Sequence, residues 1–327
     1  MQSIRTLLCL TLCLFLLLPS FAVAEIYISA PTEKPAEKET APVIDLAPAS
    51  LPDESDGLEE TDTHYSLPID FSPGKVPLEE GYISEYEYKD PTIHVIINKG
   101  RENDTTYFIC DVWIADASQL RTASADGFDS EMTMPGAKIA KRMNAVVAID
   151  GDYFFYTKPR GFILRQGNMY LNRTTGGRDV LLIDEDGDFH IVHKPEKNGC
   201  SDTINGKKVI NGFFFGPALV QNGELGTDFR YTDMATNYPS QRMAIAQMGK
   251  LHYRIVCCES PKRGSVGMTL REFAVFCQSK GCVTAYNLDG GDSTMLYFRG
   301  EKINDVDNPN PRDLADIIYF ASAYDPE

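Results

Sequence analysis

The sequence predicts an α+β domain of mixed, largely antiparallel sheets with flanking helices, occupying residues 77–327 as one domain. Three observations lead there. Short β-branched and aromatic runs recur between polar turns, as in Ile93 to Ile97 and Thr106 to Ile114. Helical periodicity is confined to two places, Gly136 to Met143 and the segment after Thr269. The two kinds of element do not alternate in a strict βαβ rhythm, which argues against a purely parallel sheet.

The chain opens with a different material. Arg5 precedes the apolar run Thr6 to Leu18; Pro19 and Ser20 break it, and Ala22-Val23-Ala24 has small-x-small spacing. Charge, short apolar core and small residues in that order predict a signal peptide over residues 1–24 and an exported, secreted or surface-held protein. The run is shorter than the roughly 20 residues a spanning helix needs, so no stable membrane span is expected after cleavage. Residues 25–76 are rich in Pro, Glu, Asp, Ser and Thr. Twelve acids against three lysines over 25–75 give 3 − 12 = −9, more than half of the formal net charge of −16. So little apolar surface cannot offset ordering entropy, and the segment reads as a disordered linker. The acidic balance also excludes nucleic acid as a partner, since phosphate backbones require clustered Lys and Arg.

Within the domain, Ile93 to Ile97 and Thr106 to Ile114 read as strands separated by the turn-like 98–104. The helix Gly136 to Met143 leads into an apolar strand, Ala145 to Ile149, which ends in Asp150-Gly151-Asp152-Tyr153-Phe154. A meander follows, with strands at 161–164, 179–183, 189–192 and 211–220, then at 242–246 and 252–256. Asp184-Glu185-Asp186-Gly187-Asp188 reads as a hairpin turn, because the glycine and terminal glutamate of a calcium loop are missing. Thr269 and Glu272 form a capping box; Leu270, Phe273, Ala274 and Cys277 share one helix face, and Gly281 stops the helix. The strand Val283 to Leu288 and the turn Asp289 to Thr294 come next, and Leu314 to Ala321 reads as a strand or short helix. Six cysteines lie in the domain; Cys277 and Cys282 could pair, and buried free thiols are the alternative. Two strand ends thus carry acidic glycine turns, which suggests carboxylates delivered to one edge.

Asn287-Leu288-Asp289-Gly290-Gly291-Asp292-Ser293 is the most specific feature. Its amide, carboxylates and hydroxyls suit a polyhydroxylated substrate, and free N–H groups in a glycine turn can hold a phosphate oxygen; a plain Gly-Gly hairpin is the bland reading. The segment resembles the signature of the phosphodiester glycosidase family. So do Ala148 to Phe154, similar to an Asn-Gly-x-aromatic-Phe motif, Phe215 to Val220 with Gly223, and Pro239 to Ile245. Arg312 also matches an arginine often found in that family. Two positions depart from the pattern: Asp150 stands where the family usually has Asn, and Asp292 where it often has Gly or another small residue.

The resemblance implies hydrolysis of the C1–O bond of a sugar-1-phosphodiester, possibly in an exopolysaccharide or other cell-surface glycan. Glycoside hydrolysis usually needs two carboxyl groups, and Asp289 and Asp152 are the catalytic candidates, with Asp150 and Asp292 as alternates. Arg242, with Arg160 and Arg312, is expected to clamp the phosphate, a structural salt bridge being the alternative for Arg242. Asn287, Gly290, Gly291, Asp292 and Ser293, together with Asp150, complete the substrate-binding set. No cofactor is required by the sequence, although a divalent cation would offset the added acids. A non-catalytic glycan-binding domain and a metal-dependent phosphodiesterase are the competing readings.

Overall fold

The computed structural model describes residues 57–58, 65–229, 236–259, 264–306, 308 and 310–326. The expected signal peptide and most of the expected linker lie outside them. Among the described residues the domain is mostly β, and every strand pair is antiparallel. The expected mixture of parallel and antiparallel pairing is therefore corrected, and the helical share is small. Only Gly136–Arg142 and Leu270–Ser279 are α-helices among these residues. Antiparallel neighbours need no helical crossover between them, which is why so many short strands coexist with two helices.

Three sheets build the domain. The largest has nine strands in the order Tyr82–Ser84, Glu87–Asp90, Ile93–Glu102, Thr105–Ile114, His252–Cys258, Arg242–Gly249, Thr284–Asn287, Ala218–Gln221, Glu224–Leu225. The second runs Glu301–Lys302, Leu296–Phe298, Ala145–Asp150, Asp316–Ala321, Leu120–Ser124. The third runs Phe189–Val192, Val180–Asp184, Lys207–Phe213, Gly161–Arg165, Asn168–Arg173, with Thr203–Ile204 beside Lys207–Phe213. One core joins them: Val95, Phe108, Val112, Ile245 and Ile255 of the first meet Val147, Ile149, Ile318 and Phe320 of the second and Leu181, Ile183 and Phe213 of the third.

The two helices cover outer faces. Leu270, Phe273, Ala274 and Cys277 of the second helix pack on Ala244, Ala246, Val256 and Ala285. Its capping box forms as expected: Thr269 accepts from the Glu272 amide, and Glu272 accepts from the Thr269 amide at 2.8 Å. Gly281 follows with φ 79°, open to glycine without strain. Ile139 and Ala140 of the first helix pack against Tyr319 and Ala321.

Several boundaries differ from expectation. The turn-like stretch 98–104 shrinks to Asn103-Asp104, both at positive φ, and the flanking strands extend to meet it. Two left-handed residues make the tight turn that matches strand twist, and Asn and Asp tolerate it. Leu314 to Ala321 resolves to the strand Asp316–Ala321, central in its sheet. Cys277 and Cys282 are free and buried, as are Cys110, Cys200, Cys257 and Cys258. The acidic 184–188 segment is a hairpin turn, with Asp184 accepting from the Asp186 and Asp188 amides at 3.0 Å each.

Residues 65–76, ahead of the expected boundary at 77, also pack on the domain. Leu67 is buried, Tyr65 packs edge-on against Tyr324, and Lys75 pairs with Ser322. Arg121 holds this segment: its guanidinium, fully buried, donates to the carbonyls of Pro68, Asp70 and Ser72 and to the Tyr319 hydroxyl. Composition reads these residues as linker because the clasp that orders them lies about fifty positions away.

Candidate active site

The strands Ala145–Asp150 and Thr284–Asn287 belong to different sheets, yet their ends meet. The Asp289 amide donates to the Gly151 carbonyl at 3.2 Å. This contact brings Asp150, Asp152 and Asp289 together and adds a fourth acid, Asp316, from the neighbouring strand; all four are buried. Gly151 is what lets them approach. A methyl group on it would land inside the Asp316 carboxyl. Gly151→Ala is therefore expected to destabilise the domain by about 1–3 kcal/mol through overpacking, read as a lowered melting temperature.

The four acids are not equivalent. Asp152 Oδ1 pairs with Arg165 Nη2 at 2.7 Å, and its Oδ2 accepts from the Phe214 amide at 2.9 Å. Both oxygens of this expected catalytic residue are thus occupied. Arg165 also reaches Asp316 Oδ2 at 3.2 Å and the Gly212 carbonyl, with its guanidinium 4.2 Å from the Phe213 ring centroid. Burial, and then the neighbouring Asp152 charge, push the Asp316 carboxyl up to about 7, against the pull of Arg165.

Asp150 and Asp289 are the open pair. Asp150 Oδ1 accepts from the Met295 amide at 2.8 Å, and Asp289 Oδ1 from the Gly290 amide at 2.8 Å. Their Oδ2 atoms are buried without a hydrogen-bond partner, as are Asn287 Oδ1 and Thr294 Oγ1. Buried polar atoms are normally satisfied, so such a concentration marks a place for a polar ligand. Burial first, and the Asp289 charge second, raise Asp150 well above the usual carboxylate range. Burial also raises Asp289, but the Ser293 hydroxyl, the Gly290 amide and the Arg312 guanidinium oppose it. Of the two, Asp289 is better furnished to carry a charge.

The other expected site residues divide. Arg312 joins the site: half exposed, it lies 3.9 Å from Asp289 Oδ2, donates to Ser293 Oγ at 3.2 Å and stands 5.2 Å from the Tyr153 ring centroid. Arg242 is buried, and its guanidinium turns to the carbonyls of Met268 and Tyr238, joining two loop segments. Arg160 is exposed on the surface. The expected amide cradle at Gly290-Gly291 is already used, since Gly290 N–H donates to Asp289 and Gly291 N–H to the Gln241 carbonyl. The glycines serve geometry instead: Gly290 packs on the Gln241 carbonyl, and Gly291 adopts φ 61°. Asn287 donates to the Gly216 carbonyl at 2.9 Å, anchoring the Gly-Pro loop to the strand end. Asp292 turns aside, accepting from Asn308, and with Ser293, Lys302, Asn310 and Arg312 it lines a cavity of about 330 Å³.

Arg165, Asp316 and Lys302 were missed in the sequence. Arg165 sits in an ordinary apolar strand and Asp316 at the start of another, with no motif around either. Among the described residues no three His, Cys, Asp or Glu side chains are grouped so as to hold a metal ion.

The phosphodiester glycosidase family model matches residues 143–321, more than half of the chain and the whole of this carboxylate cluster. The chain belongs to the phosphodiester glycosidase family. A prophage-derived uncharacterised protein, YomE of Bacillus subtilis, is 26% identical over 184 residues, covering 55% of this chain and 28% of that much longer protein. Among solved structures, the catalytic domain of zebrafish N-acetylglucosamine-1-phosphodiester alpha-N-acetylglucosaminidase, auto-inhibited by its pro-peptide, superposes with a TM-score of 0.54. That match has 15% identity and covers 76% of this chain and 87% of that one. A hypothetical protein from Synechocystis matches at 0.51, with 17% identity over 70% of this chain and 62% of that one. At these identities the structural matches establish the fold alone.

The family motif's usual Asn at position 150 now has a physical counterpart. Burial opposes ionisation of the Asp150 carboxyl, which shifts it towards the neutrality of an asparagine.

Proposed function

We propose that this protein is an exported glycosidase that hydrolyses the C1–O bond of a sugar-1-phosphodiester. One observation carries the reading. Asp150 and Asp289, brought together from the ends of two sheets, each hold an oxygen without a hydrogen bond in a buried site, and Arg312 on the rim pairs with that of Asp289. Asp289 in its ionised form attacks the anomeric carbon or activates a water. The C1–O bond breaks, and water supplies the new anomeric hydroxyl. The leaving group is a phosphate monoester, whose charge Arg312 balances and which is stable enough as an anion to depart without a strong general acid. Asp150, neutral, donates a hydrogen bond to a sugar hydroxyl. Asp152 is a positioning residue, paired with Arg165 while it fixes the Phe214 amide. Export is supported by the order of charge, apolar core and small residues at the start of the chain.

The test is hydrolysis of UDP-N-acetylglucosamine and of sugar-1-phosphate methyl diesters by the full-length protein in heavy-oxygen water, with and without EDTA. Label on the released sugar supports C–O cleavage. Label on phosphate would assign a phosphodiesterase instead, and binding without turnover a glycan-binding domain.

The neutral role of Asp150 has its own consequence. As pH rises through its raised pKa, the carboxyl ionises beside Asp289 and hydrogen-bond donation is lost, so activity declines on the alkaline side. Asp150→Asn, which cannot ionise, is expected to retain neutral-pH turnover within about threefold and to abolish that decline. A variant that is inactive at every pH would show that Asp150 supplies a proton.

A further inference from the structure

A second surface feature lies beside the carboxylate site. Tyr156 is 71% exposed, and its ring stacks on Tyr153 at 5.3 Å between centroids and 16° between planes. Tyr153 itself is held at φ 52°, a left-handed conformation uncommon for a bulky residue. It is also the ring beside Arg312. A file therefore leads outward from the buried carboxyl: Asp289, Arg312, Tyr153, Tyr156. A ring exposed in this way presents an apolar face and a polar tip, the pattern that accepts the C–H face of a pyranose while its hydroxyls stay hydrated.

Four residues further along, Arg160 enters a broad surface depression of about 880 Å³ lined also by Arg173, Thr174, Glu196 and Lys197. Among the described residues none of the three cations there takes part in an ion pair. On a chain with a formal charge of −16 an unneutralised basic depression is conspicuous, and its natural complement is an anion. It sits at the far end of the strand Gly161–Arg165, so an extended rise places the Arg160 backbone about 16 Å from that of Arg165. A ligand that reaches from the carboxylates past Tyr156 into this depression must therefore be an extended one.

We propose that the depression and Tyr156 form an extended subsite for a phosphate-bearing glycan. One sugar of the chain stacks on Tyr156, and phosphates of later repeats face Arg160, Arg173 and Lys197. The substrate is then a polymer of sugar-phosphate repeats rather than an isolated diester. This inference rests on the glycosidase reading for its orientation but is separable from it by experiment.

The probes are a synthetic tetramer of N-acetylglucosamine-1-phosphate repeats, its single-repeat methyl diester, and neutral dextran. Affinity is measured by calorimetry on the full-length protein carrying Asp289→Asn at two salt concentrations, and turnover on the Asp289 protein. The tetramer is expected to bind at least about tenfold more tightly than the single repeat or dextran, and that preference should weaken as salt rises. Tyr156→Ala, and separately Arg173→Glu with Lys197→Glu, should erase the preference, and Tyr156→Trp should keep it. No tetramer preference in the parent, or a preference that survives these substitutions, overturns the proposal. Tetramer binding with the expected losses but no turnover of either substrate would uphold the subsite and refute the glycosidase reading instead.

Discussion

Asp289→Asn is expected to reduce sugar release by about 10²–10⁴-fold, the range over which a positioned acid-base group acts, with little change in melting temperature. The asymmetry follows from the site. Asparagine keeps the shape and can still accept the Gly290 amide hydrogen bond, so the turn survives. What disappears is the charge on an oxygen buried without a hydrogen-bond partner and 3.9 Å from Arg312. The pH profile of the unaltered protein carries the same information. Burial holds Asp289 above the ordinary carboxylate range, and the reaction needs its ionised form. Activity should therefore rise with pH through that elevated value, not near the usual pKa of a solvated aspartate. An Asp289→Asn protein with unaltered turnover would remove the residue from the chemistry. A loss of folding, seen in the melting curve, would make it a structural residue.

Arg165→Met is expected to be the most damaging single change to stability. The guanidinium is fully buried between Asp152 and Asp316, two carboxyls that are themselves buried. Removing one partner of such a group leaves uncompensated charge in a low-dielectric interior, at a cost of about 3–5 kcal/mol. For a domain of this size that lowers the melting temperature by about 10 °C. The loss should grow with pH. Asp316, pushed up to about 7, is largely protonated in the folded state at pH 5 but ionises through neutrality. A buried acid whose folded pKa is raised favours folding most at low pH, and that contribution falls as pH rises from about 4 to about 7. Adding Asp316→Asn to Arg165→Met should recover part of the loss and flatten its dependence on pH. Thermal melts of the single and double variants at pH 5 and pH 8 provide the check. Equal melting temperatures for Arg165→Met and the unaltered protein would show that the acids are neutralised some other way.

Much of the site was legible because its pieces are contiguous. Asp289-Gly290-Gly291 and Asp150-Gly151-Asp152 each combine a strand end with a glycine that permits a sharp turn, and both turns reach the same centre. The roles within that centre were less legible. Asp152 looks as reactive as Asp289 in the sequence, and only Arg165, thirteen positions away, marks it as occupied. Arg242 has the type and motif of a phosphate clamp, but its guanidinium finds backbone carbonyls first. The glycine amides expected to cradle a phosphate are satisfied by Gln241 and Asp289. In each case a hydrogen-bond partner distant in sequence, or on the opposing backbone, decides what the residue has left to offer.

Local chemistry alone determined the hairpin at Asp184 and the capping box at Thr269, because each depends on neighbours within a few residues. It also determined the family, through motifs whose order survives in the chain. The tertiary structure decided which carboxyls keep an oxygen free of hydrogen bonds, which are paired, and that residues 65–76 pack on the domain. Those outcomes depend on burial and on charges contributed by separate sheets, and a protonation state is a property of the assembled surroundings rather than of the residue.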